Sequence, residues 1–293
     1  MSAVPQIVGV IGGGRMGSGI AQVFAAAGSI VTIAEADPAA AAAARDRVAM
    51  GLLHAAENGR LAEPPEAVLA RVELAHDVSG LPEDAELVVE AVPEDAELKV
   101  RVLAAAEAVV ARRHPDRQPA VLASNTSSLS IAGLAGGLRR PDRLIGMHFF
   151  NPVPASDLVE VVVGPLTAAT VREAARSWVR ALGKVEIVVR DSPGFATSRL
   201  GVLLGLEAIR MLEQGVADAA SIDRAMELGY RHPMGPLRST DLVGLDVRLA
   251  IAEHLHRELG ERFAPPDLLR EMVARGDLGR KTGRGFFTWE GTR

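Results

Sequence analysis

A histidine and a glutamate in the stretch GMHFFNPVPASDLVEVVVG have the residue types and spacing of an acid/base pair. His148 ends one apolar run, an NPVP turn follows, and Glu160 lies inside the next apolar run. An unpaired carboxylate in a buried strand is costly, so we predict that the two strands are neighbours and that the two side chains meet. A histidine held in one tautomer by a carboxylate suits a general base that takes a proton from an alcohol while a hydride leaves the same carbon.

A glycine-rich turn near the start of the chain, VIGGGRMGSGIAQVFAAAG, indicates where a cofactor binds. Gly12 permits a tight turn, Gly14 lets the backbone approach a pyrophosphate, and Gly17 lets the following helix pack against the strand. Met16 lies in the same loop and is predicted to bind the cofactor together with these glycines. The glycine pattern alone is a weak signal, but Glu35 ends the second predicted strand. A carboxylate there accepts hydrogen bonds from ribose hydroxyls and repels a 2′-phosphate, which favours NAD over NADP.

Polar residues also follow two later predicted strands. EAVPED carries Glu94, with Lys99 shortly after it, and these two side chains either approach the nicotinamide end of the cofactor or cap and decorate the next helix. ASNTSSLSI places four small polar residues, Asn125 to Ser128, between a strand and a helix. We expect one of the four to cap that helix and the others to face the crevice at the carboxyl ends of the strands.

Two sequence patterns, one in each part of the chain, indicate which elements must position these residues. Up to residue 190, β-branched runs alternate with Ala-rich helical stretches, which predicts βαβ units on a parallel sheet. After Asp191 the strand signals vanish, and RDSPGF is a plausible hinge. The sequence therefore predicts an α/β fold: a Rossmann-type, doubly wound, mostly parallel sheet over residues 1–190, followed by a smaller all-α domain over residues 191–293.

The individual elements are predicted at the following positions. Strands are expected at Ile7–Ile11, Ile30–Ala34, Leu87–Val92, Ala120–Ser124, Leu144–His148, Val159–Val163 and Val185–Val189. Helices are expected at Met16–Ala27, Pro38–Asn58, Ala96–Arg112, Ile131–Leu138, Ala196–Gln214, Ala219–Leu228, Asp241–Leu259 and Pro266–Arg275.

Composition excludes several classes of protein. The 293 residues contain no cysteine, so disulfides, thiolate metal sites and a cysteine nucleophile are excluded. A net charge of −5 argues against a nucleic-acid or membrane-surface partner. No apolar run reaches the roughly 18 residues that span a bilayer, and the start of the chain lacks a secretory signal pattern. We therefore expect a cytoplasmic protein with no membrane, nucleic-acid or metal partner.

Seven segments together resemble one known family. GGGRMGSGIAQVFAAAG, ASNTSSL, HFFNPVP, LVEVV, DSPGF, PMGP and GRKTGRGFF occur in the order and spacing of the L-3-hydroxyacyl-CoA dehydrogenases, bacterial 3-hydroxybutyryl-CoA dehydrogenases included. The resemblance extends nearly end to end. It implies NAD-linked interconversion of a 3-hydroxyacyl thioester and its 3-oxoacyl form. It also implies a helical C-terminal domain that forms a homodimer interface and an active site in the cleft between domains.

The resemblance also implies roles for individual residues. His148 would be the general acid/base, Glu160 its orienting partner, and Ser127 would hydrogen-bond the substrate oxygen near the nicotinamide. Positions that contact NAD in the family are occupied here by Glu94, Lys99, Asn151 and Lys281.

Three departures from the family pattern concern the substrate. Ser198 stands where the family has an asparagine that helps to hold the substrate, and a hydroxyl offers one donor where an amide offers two. Gly51, Glu57 and Asn58 occupy a helical region where the family has a serine and lysines that contact the CoA nucleotide. Asp157 stands where the family often has a lysine.

These departures leave the thioester carrier open at the level of sequence. An acyl-CoA is the first choice, with an altered grip on the CoA. An acyl-carrier-protein thioester, a free hydroxy acid and a carnitine-like alcohol are the alternatives for the same chemistry. A non-catalytic NAD-binding protein is a further alternative, against which the retained Ser127, His148 and Glu160 argue.

Overall fold

The computed structural model describes residues 4–112 and 119–289. The chain divides into two compact units, Met1–Ser192 and Pro193–Arg293. The first unit is a sheet with helices, and the second is helical.

A single eight-stranded sheet organises the first unit, in the order β3-β2-β1-β4-β5-β6-β7-β8. The strands from β3 to β6 in that order are all parallel, β7 is antiparallel to β6, and β8 is parallel to β7. The predicted mostly parallel, doubly wound sheet is therefore confirmed. The strands are β1 Ile7–Ile11, β2 Ile30–Ala34, β3 Val72–Ala75, β4 Leu87–Glu90, β5 Val121–Ser124, β6 Leu144–Phe149, β7 Leu158–Val163 and β8 Val185–Arg190.

Helices cover this sheet, and two of them begin at an aspartate cap. Asp37 accepts from the amide of Ala40, and Asp95 accepts from that of Leu98, so each carboxylate satisfies an N-terminal donor. The core beneath them consists mainly of buried Val, Ile, Ala and Phe side chains. The helices are α1 Arg15–Ala26, α2 Pro38–Glu57, α3 Pro65–Leu69, α4 Ala96–Val110, α5 Ile131–Ala135 and α6 Ala169–Ala181.

The second unit is a helical domain with its own apolar core. Leu206, Leu245 and Leu255 are fully buried in it. Its helices are α7 Thr197–Glu213, α8 Ala219–Gly229, α9 Pro236–Val243, α10 Leu245–Leu259 and α11 Asp267–Arg275. None of the helices in the described ranges is long and apolar enough to cross a membrane.

Four elements differ from the prediction. Helix α3, which is five residues long, was missed. Strand β3 was missed, because it is four residues long and two of them, Glu73 and Leu74, are exposed. Helix α6 was also missed, although its buried Val171, Ala175 and Val179 recur at helical spacing. The helix predicted over Asp241–Leu259 is two helices, because Gly244 has φ +102° and interrupts it there.

The predicted cap of α5 was assigned to the wrong residue. We expected it among Asn125 to Ser128, but Ser130 is the N-cap and accepts from the amide of Gly133. Thr126 instead accepts from the amide of Leu129 at 2.9 Å, which forms a local turn before the helix.

Candidate active site

The parallel strands β1, β4, β5 and β6 are adjacent, so the segments after their carboxyl ends meet at one edge of the sheet. The glycine-rich loop follows β1, Glu94 follows β4, and Asn125 to Ser128 follow β5. His148 is the penultimate residue of β6. The fold thus brings together the polar groups that the sequence placed after separate strands.

The glycine-rich loop fits a pyrophosphate. Gly12 has φ +96°, and a Cβ there would lie 2.9 Å from the carbonyl oxygen of Ala91. A Cβ on Gly17 would lie 1.8 Å from the carbonyl oxygen of Gly12, so only glycine allows the helix to start this close to the strand. Gly14 faces open space, and α1 begins there without a side-chain cap. Its first amides and the positive end of its dipole are therefore available to phosphate oxygens.

Glu35 lies against this loop at the end of β2. Its Oε2 accepts a hydrogen bond of 2.9 Å from the amide of Gly13. Arg47 on α2 donates to the carbonyl oxygen of the same Gly13 at 2.6 Å. Met16 in the first turn of α1 packs against the core of the sheet domain. The carboxylate is thus placed beside the loop, as the predicted ribose contact requires.

Glu94 organises the loop that carries Ser127. Its Oε1 accepts from the hydroxyl of Thr126 at 2.5 Å, from the amide of Ser127 at 3.0 Å, and from both the amide and the hydroxyl of Ser128. Burial would raise the pKa of Glu94, but the Lys99 ammonium and these hydrogen bonds outweigh it, so the pKa is lowered. The carboxylate therefore stays ionised and fixes the backbone at Ser127.

Lys99 lies beneath Glu94 in a buried ion-pair network. Its Nζ is 2.6 Å from Oε1 of Glu90 and 3.3 Å from Oε2 of Glu94, and only 1% of the side chain is exposed. Glu90 also accepts from the hydroxyl of Ser124 at 2.6 Å. The structure therefore makes Lys99 a buried support of this edge, and its contact with NAD stays a prediction.

The predicted pairing of His148 with Glu160 is confirmed. The two residues face each other across the antiparallel pair β6–β7, and Nδ1 of His148 is 2.7 Å from Oε2 of Glu160. Glu160 is fully buried and His148 is 7% exposed. Because a carboxylate only accepts hydrogen bonds, Nδ1 carries the proton that is shared with Glu160, and Nε2 is the basic nitrogen. The ring of Phe150 lies 4.4 Å from the imidazole, centroid to centroid.

Two further residues fix the end of β6. Asn125 was expected to cap a helix or to face the crevice, and Lys184 was given no role. Asn125 accepts from the amide of Phe149 at 2.8 Å, which ties the Ser127 loop to the strand of His148. Lys184 donates to the carbonyl oxygens of Val153 at 2.8 Å and Ser156 at 2.5 Å, in the loop that also carries Asn151. Burial lowers the pKa of Lys184, and the nearby Asp157 partly offsets this. The sequence feature that could have identified Lys184 as a buried residue is its position as a lone lysine between two apolar runs.

The two predicted site residues of the second unit lie on different elements. Ser198 is the second residue of α7. Nζ of Lys281 is 2.6 Å from each carboxylate oxygen of Asp246. Over residues 4–112 and 119–289, no three His, Asp or Glu side chains form a group that could hold a metal ion.

Comparison with family models decides the identity of the chain. A model described as 3-hydroxyacyl-CoA dehydrogenase, NAD binding domain, matches residues 7–192. A second, described as 3-hydroxyacyl-CoA dehydrogenase, C-terminal domain, matches residues 194–289. The chain belongs to the 3-hydroxyacyl-CoA dehydrogenase family. It is an oxidoreductase, and its cofactor is NAD.

Individual relatives of this 3-hydroxyacyl-CoA dehydrogenase match over the full length. A 3-hydroxybutyryl-CoA dehydrogenase of Mycobacterium tuberculosis is 43% identical over 99% of this chain and 100% of the relative. A probable 3-hydroxybutyryl-CoA dehydrogenase of Deinococcus radiodurans is 40% identical over 96% of this chain and 99% of its own. The solved (S)-3-hydroxybutyryl-CoA dehydrogenase of Ralstonia eutropha superposes with a TM-score of 0.90 at 39% identity, over 98% of this chain and 100% of its own.

Proposed function

We propose that this 3-hydroxyacyl-CoA dehydrogenase oxidises the C3 hydroxyl of short-chain 3-hydroxyacyl-CoA esters through the His148–Glu160 pair. The observation that carries the proposal is the 2.7 Å contact between those two buried side chains, at the sheet edge that also bears the glycine-rich loop. The names of the relatives, which are 3-hydroxybutyryl-CoA dehydrogenases, support a short acyl chain and CoA as the carrier.

The side chains divide the work of the reaction between them. Nε2 of His148 accepts the proton of the C3 hydroxyl, and Glu160 stabilises the imidazolium that results. The hydroxyl of Ser127, held by Glu94, donates to the C3 oxygen as it becomes a carbonyl oxygen. NAD, when bound, supplies the acceptor for the hydride that leaves C3. Ser198 at the start of α7 holds the substrate where the family uses an asparagine.

The two chemical parts of NAD have separate sets of residues in this proposal. The pyrophosphate and adenosine ribose are bound by the loop after β1 and by the carboxylate that ends β2. The nicotinamide half is bound by residues after the later strands and from the helical unit. The proposed NAD-binding residues are Gly12, Gly14, Met16, Gly17, Glu35, Glu94, Lys99, Asn151 and Lys281.

We further propose that the helical domain supplies a homodimer interface. Leu200 and Leu204 on α7, Val243 on α9 and Val247 on α10 are all exposed, on helices that pack against one another. Exposed apolar side chains grouped in this way are typical of protein–protein contacts.

The proposed chemistry is tested by reduction of acetoacetyl-CoA with NADH. His148→Gln and Glu160→Gln are expected to lower kcat by about 10²–10⁴-fold, because each removes general acid/base catalysis. NADH affinity is expected to stay unchanged in both variants. His256→Gln is the matched control, because His256 also faces a glutamate, Glu261, at 3.1 Å but on an exposed surface. Wild-type turnover by the His148 variant would contradict the assignment, as would activity lost equally in the His256 variant.

A further inference from the structure

Gly13, the middle residue of the glycine-rich loop, is held by three side chains from different elements. Its amide donates to Oε2 of Glu35 at 2.9 Å. Its carbonyl oxygen accepts from the hydroxyl of Ser18 at 2.8 Å and from Nη1 of Arg47, on α2, at 2.6 Å. A Cβ on Gly13 would lie 2.6 Å from the Cβ of Ala44, so only glycine lets α2 pack this closely against the loop. One residue of the loop therefore contacts both a carboxylate and a guanidinium.

Most of the donors of Arg47 are free for a ligand. The residue is exposed, and within residues 4–112 and 119–289 its hydrogen bond to Gly13 is the one polar contact that its side chain makes. A guanidinium carries five N–H donors in a planar fork that matches the oxygen atoms of a phosphate. All but one of these donors are therefore available to an anionic group that binds beside the loop.

The two charges at Gly13 act on the same part of a bound dinucleotide. The amide nitrogen and carbonyl oxygen of one residue are at most about 4 Å apart, so Oε2 of Glu35 and Nη1 of Arg47 lie within about 10 Å of each other. Charges are screened over about 8 Å at physiological ionic strength, so both reach a group attached to the ribose that Glu35 is proposed to bind. A phosphate on that ribose is repelled by the carboxylate and attracted by the guanidinium.

A second carboxylate, Asp37, lies in the same turn between β2 and α2. It is the N-cap of α2 and accepts from the amide of Ala40 at 2.7 Å. The amides at the start of the helix and the positive end of its dipole offset the charge of Asp37. Glu35 is therefore the carboxylate whose charge opposes a phosphate on the ribose most directly.

Two other arginines lie near this part of the sheet domain, and their contacts differ from those of Arg47. Arg45, on the same helix, donates its Nη1 to the carbonyl oxygen of Val72 in β3 at 2.8 Å. Arg15 is the exposed first residue of α1, where the pyrophosphate is proposed to bind. NAD and NADP share the pyrophosphate, so a cation there does not discriminate between them. Of these three arginines, Arg47 is the one that contacts the same loop residue as Glu35.

We propose that Arg47 is a specificity-determining residue of the cofactor site and binds the 2′-phosphate of NADP(H). Glu35 makes NAD the preferred cofactor, and Arg47 limits that preference by giving NADPH a measurable affinity. The inference rests on the proposed contact between Glu35 and the adenosine ribose, and it concerns side chains of the sheet unit alone.

Calorimetric titration of the protein with NADH and with NADPH tests the proposal without turnover. Arg47→Met is expected to weaken NADPH binding at least about tenfold, because a charge-assisted hydrogen bond to phosphate is lost. NADH affinity is expected to stay unchanged, since the hydroxyl of Ser18 still holds the Gly13 carbonyl. Arg47→Lys is expected to keep part of the NADPH affinity, because it retains the charge without the fork. Arg45→Met is the matched control and is expected to bind both cofactors like the wild type.

A double-mutant cycle with Glu35→Gln measures the opposition of the two charges. Glutamine still offers an oxygen to the Gly13 amide but carries no charge, so the variant is expected to bind NADPH at least about tenfold more tightly than the wild type. In Glu35→Gln/Arg47→Met, NADPH is expected to bind at least about tenfold more weakly than in Glu35→Gln alone. Equal NADPH affinity of these two variants would overturn the role of Arg47.

NADH affinity, Tm and activity separate the possible failures. An equal loss of NADH and NADPH affinity in Arg47→Met, with a lowered Tm, would show that Arg47 only supports the loop, and would overturn the proposal. A Tm near that of the wild type is expected, because the residue is exposed. Cofactor binding needs no acyl-CoA, so a wild type that binds NADH and NADPH as expected but fails to reduce acetoacetyl-CoA would overturn the proposed function alone.

Discussion

A glutamate inside an apolar strand is the clearest sequence signal for a paired side chain in this protein. Glu160 inside LVEVVV required a partner, and that requirement predicted the contact with His148. Glu90 at the end of LVVE carries the same signal and is paired with Lys99. The two pairs lie at the same edge of the sheet: one contains the proposed base, and the other supports the loop that carries Ser127.

The lowered pKa of Glu94 predicts how its contribution to the free energy of unfolding depends on pH. Its pKa is lowered in the folded protein from the usual 4.5, so its stabilising effect is fully present above that value and is lost as pH falls through the lowered pKa. Glu94→Gln is expected to lower the free energy of unfolding at pH 7 by on the order of 1 kcal/mol, and by less at a pH below 4. Urea unfolding of the variant and the wild type over this pH range measures the difference.

The control for Glu94 is Glu97→Gln, in the exposed first turn of α4. This variant removes a carboxylate three residues away that has no part in the Ser127 loop. A Glu94→Gln effect that is no larger than that of Glu97→Gln, or that grows as pH falls, would show that the loop does not depend on the Glu94 charge. In the acetoacetyl-CoA assay, Glu94→Gln is also expected to lower kcat, because Ser127 loses its anchor.

At the scale of elements, the loop between β6 and β7 is held by Lys184, which comes just before β8. Lys184 lies just before β8, and its two hydrogen bonds end on carbonyl oxygens of that loop. The loop also bears Asn151, so the position of a proposed NAD contact depends on a residue more than thirty positions later in the sequence. This makes Lys184 a positioning residue with no contact to the reacting atoms.

Lys184→Met is expected to destabilise the protein and to loosen the loop. Two charge-assisted hydrogen bonds to buried carbonyl groups are lost, which costs about 2–4 kcal/mol in the free energy of unfolding. NADH is expected to bind more weakly, with a higher KM, while the wild-type pH profile of kcat is kept because the His148–Glu160 pair is untouched. Arg180→Met, which removes an exposed ion pair with Glu186, is the control. Unchanged stability and unchanged KM in Lys184→Met would contradict the positioning role.

Elements were predictable from the sequence where a pattern is local. The strands around the site were predicted within two residues at each end, because each is an apolar run bounded by turn residues. The break between α9 and α10 was missed, because a glycine inside a helical pattern is usually tolerated. The positive φ of Gly244 ends α9 and cannot be read from the apolar pattern around it.

The sequence predicted which residues lie near one another at the site, but not all of the contacts that they make. Types of residue after parallel strands were enough to place His148, Ser127 and Glu94 at one edge. The inward direction of Lys99 and the pairing of Lys281 with Asp246 were not predictable, because residue spacing alone does not say which way a long side chain turns.

At the scale of the whole molecule, the family models match one compact unit to an NAD binding domain and the other to a C-terminal domain. Of the departures that concern the substrate, Ser198 lies in that helical unit. The exposed apolar side chains of α7 belong to it as well. Substitutions in this domain are therefore expected to affect both substrate choice and self-association. A test of self-association must use substitutions that leave the proposed substrate residue Ser198 unchanged.

Leu200→Glu and Leu204→Glu are expected to dissociate the proposed homodimer. The two leucines are 60% and 43% exposed at i, i+4 spacing on α7, so one helix face carries both. A charge buried in an apolar interface without a partner costs several kcal/mol, which raises the dissociation constant by at least about 100-fold. Sedimentation velocity at micromolar concentration measures the change. Val216→Glu, equally exposed but in the turn after α7, is expected to stay dimeric, and a wild type that sediments as a monomer would overturn the interface altogether.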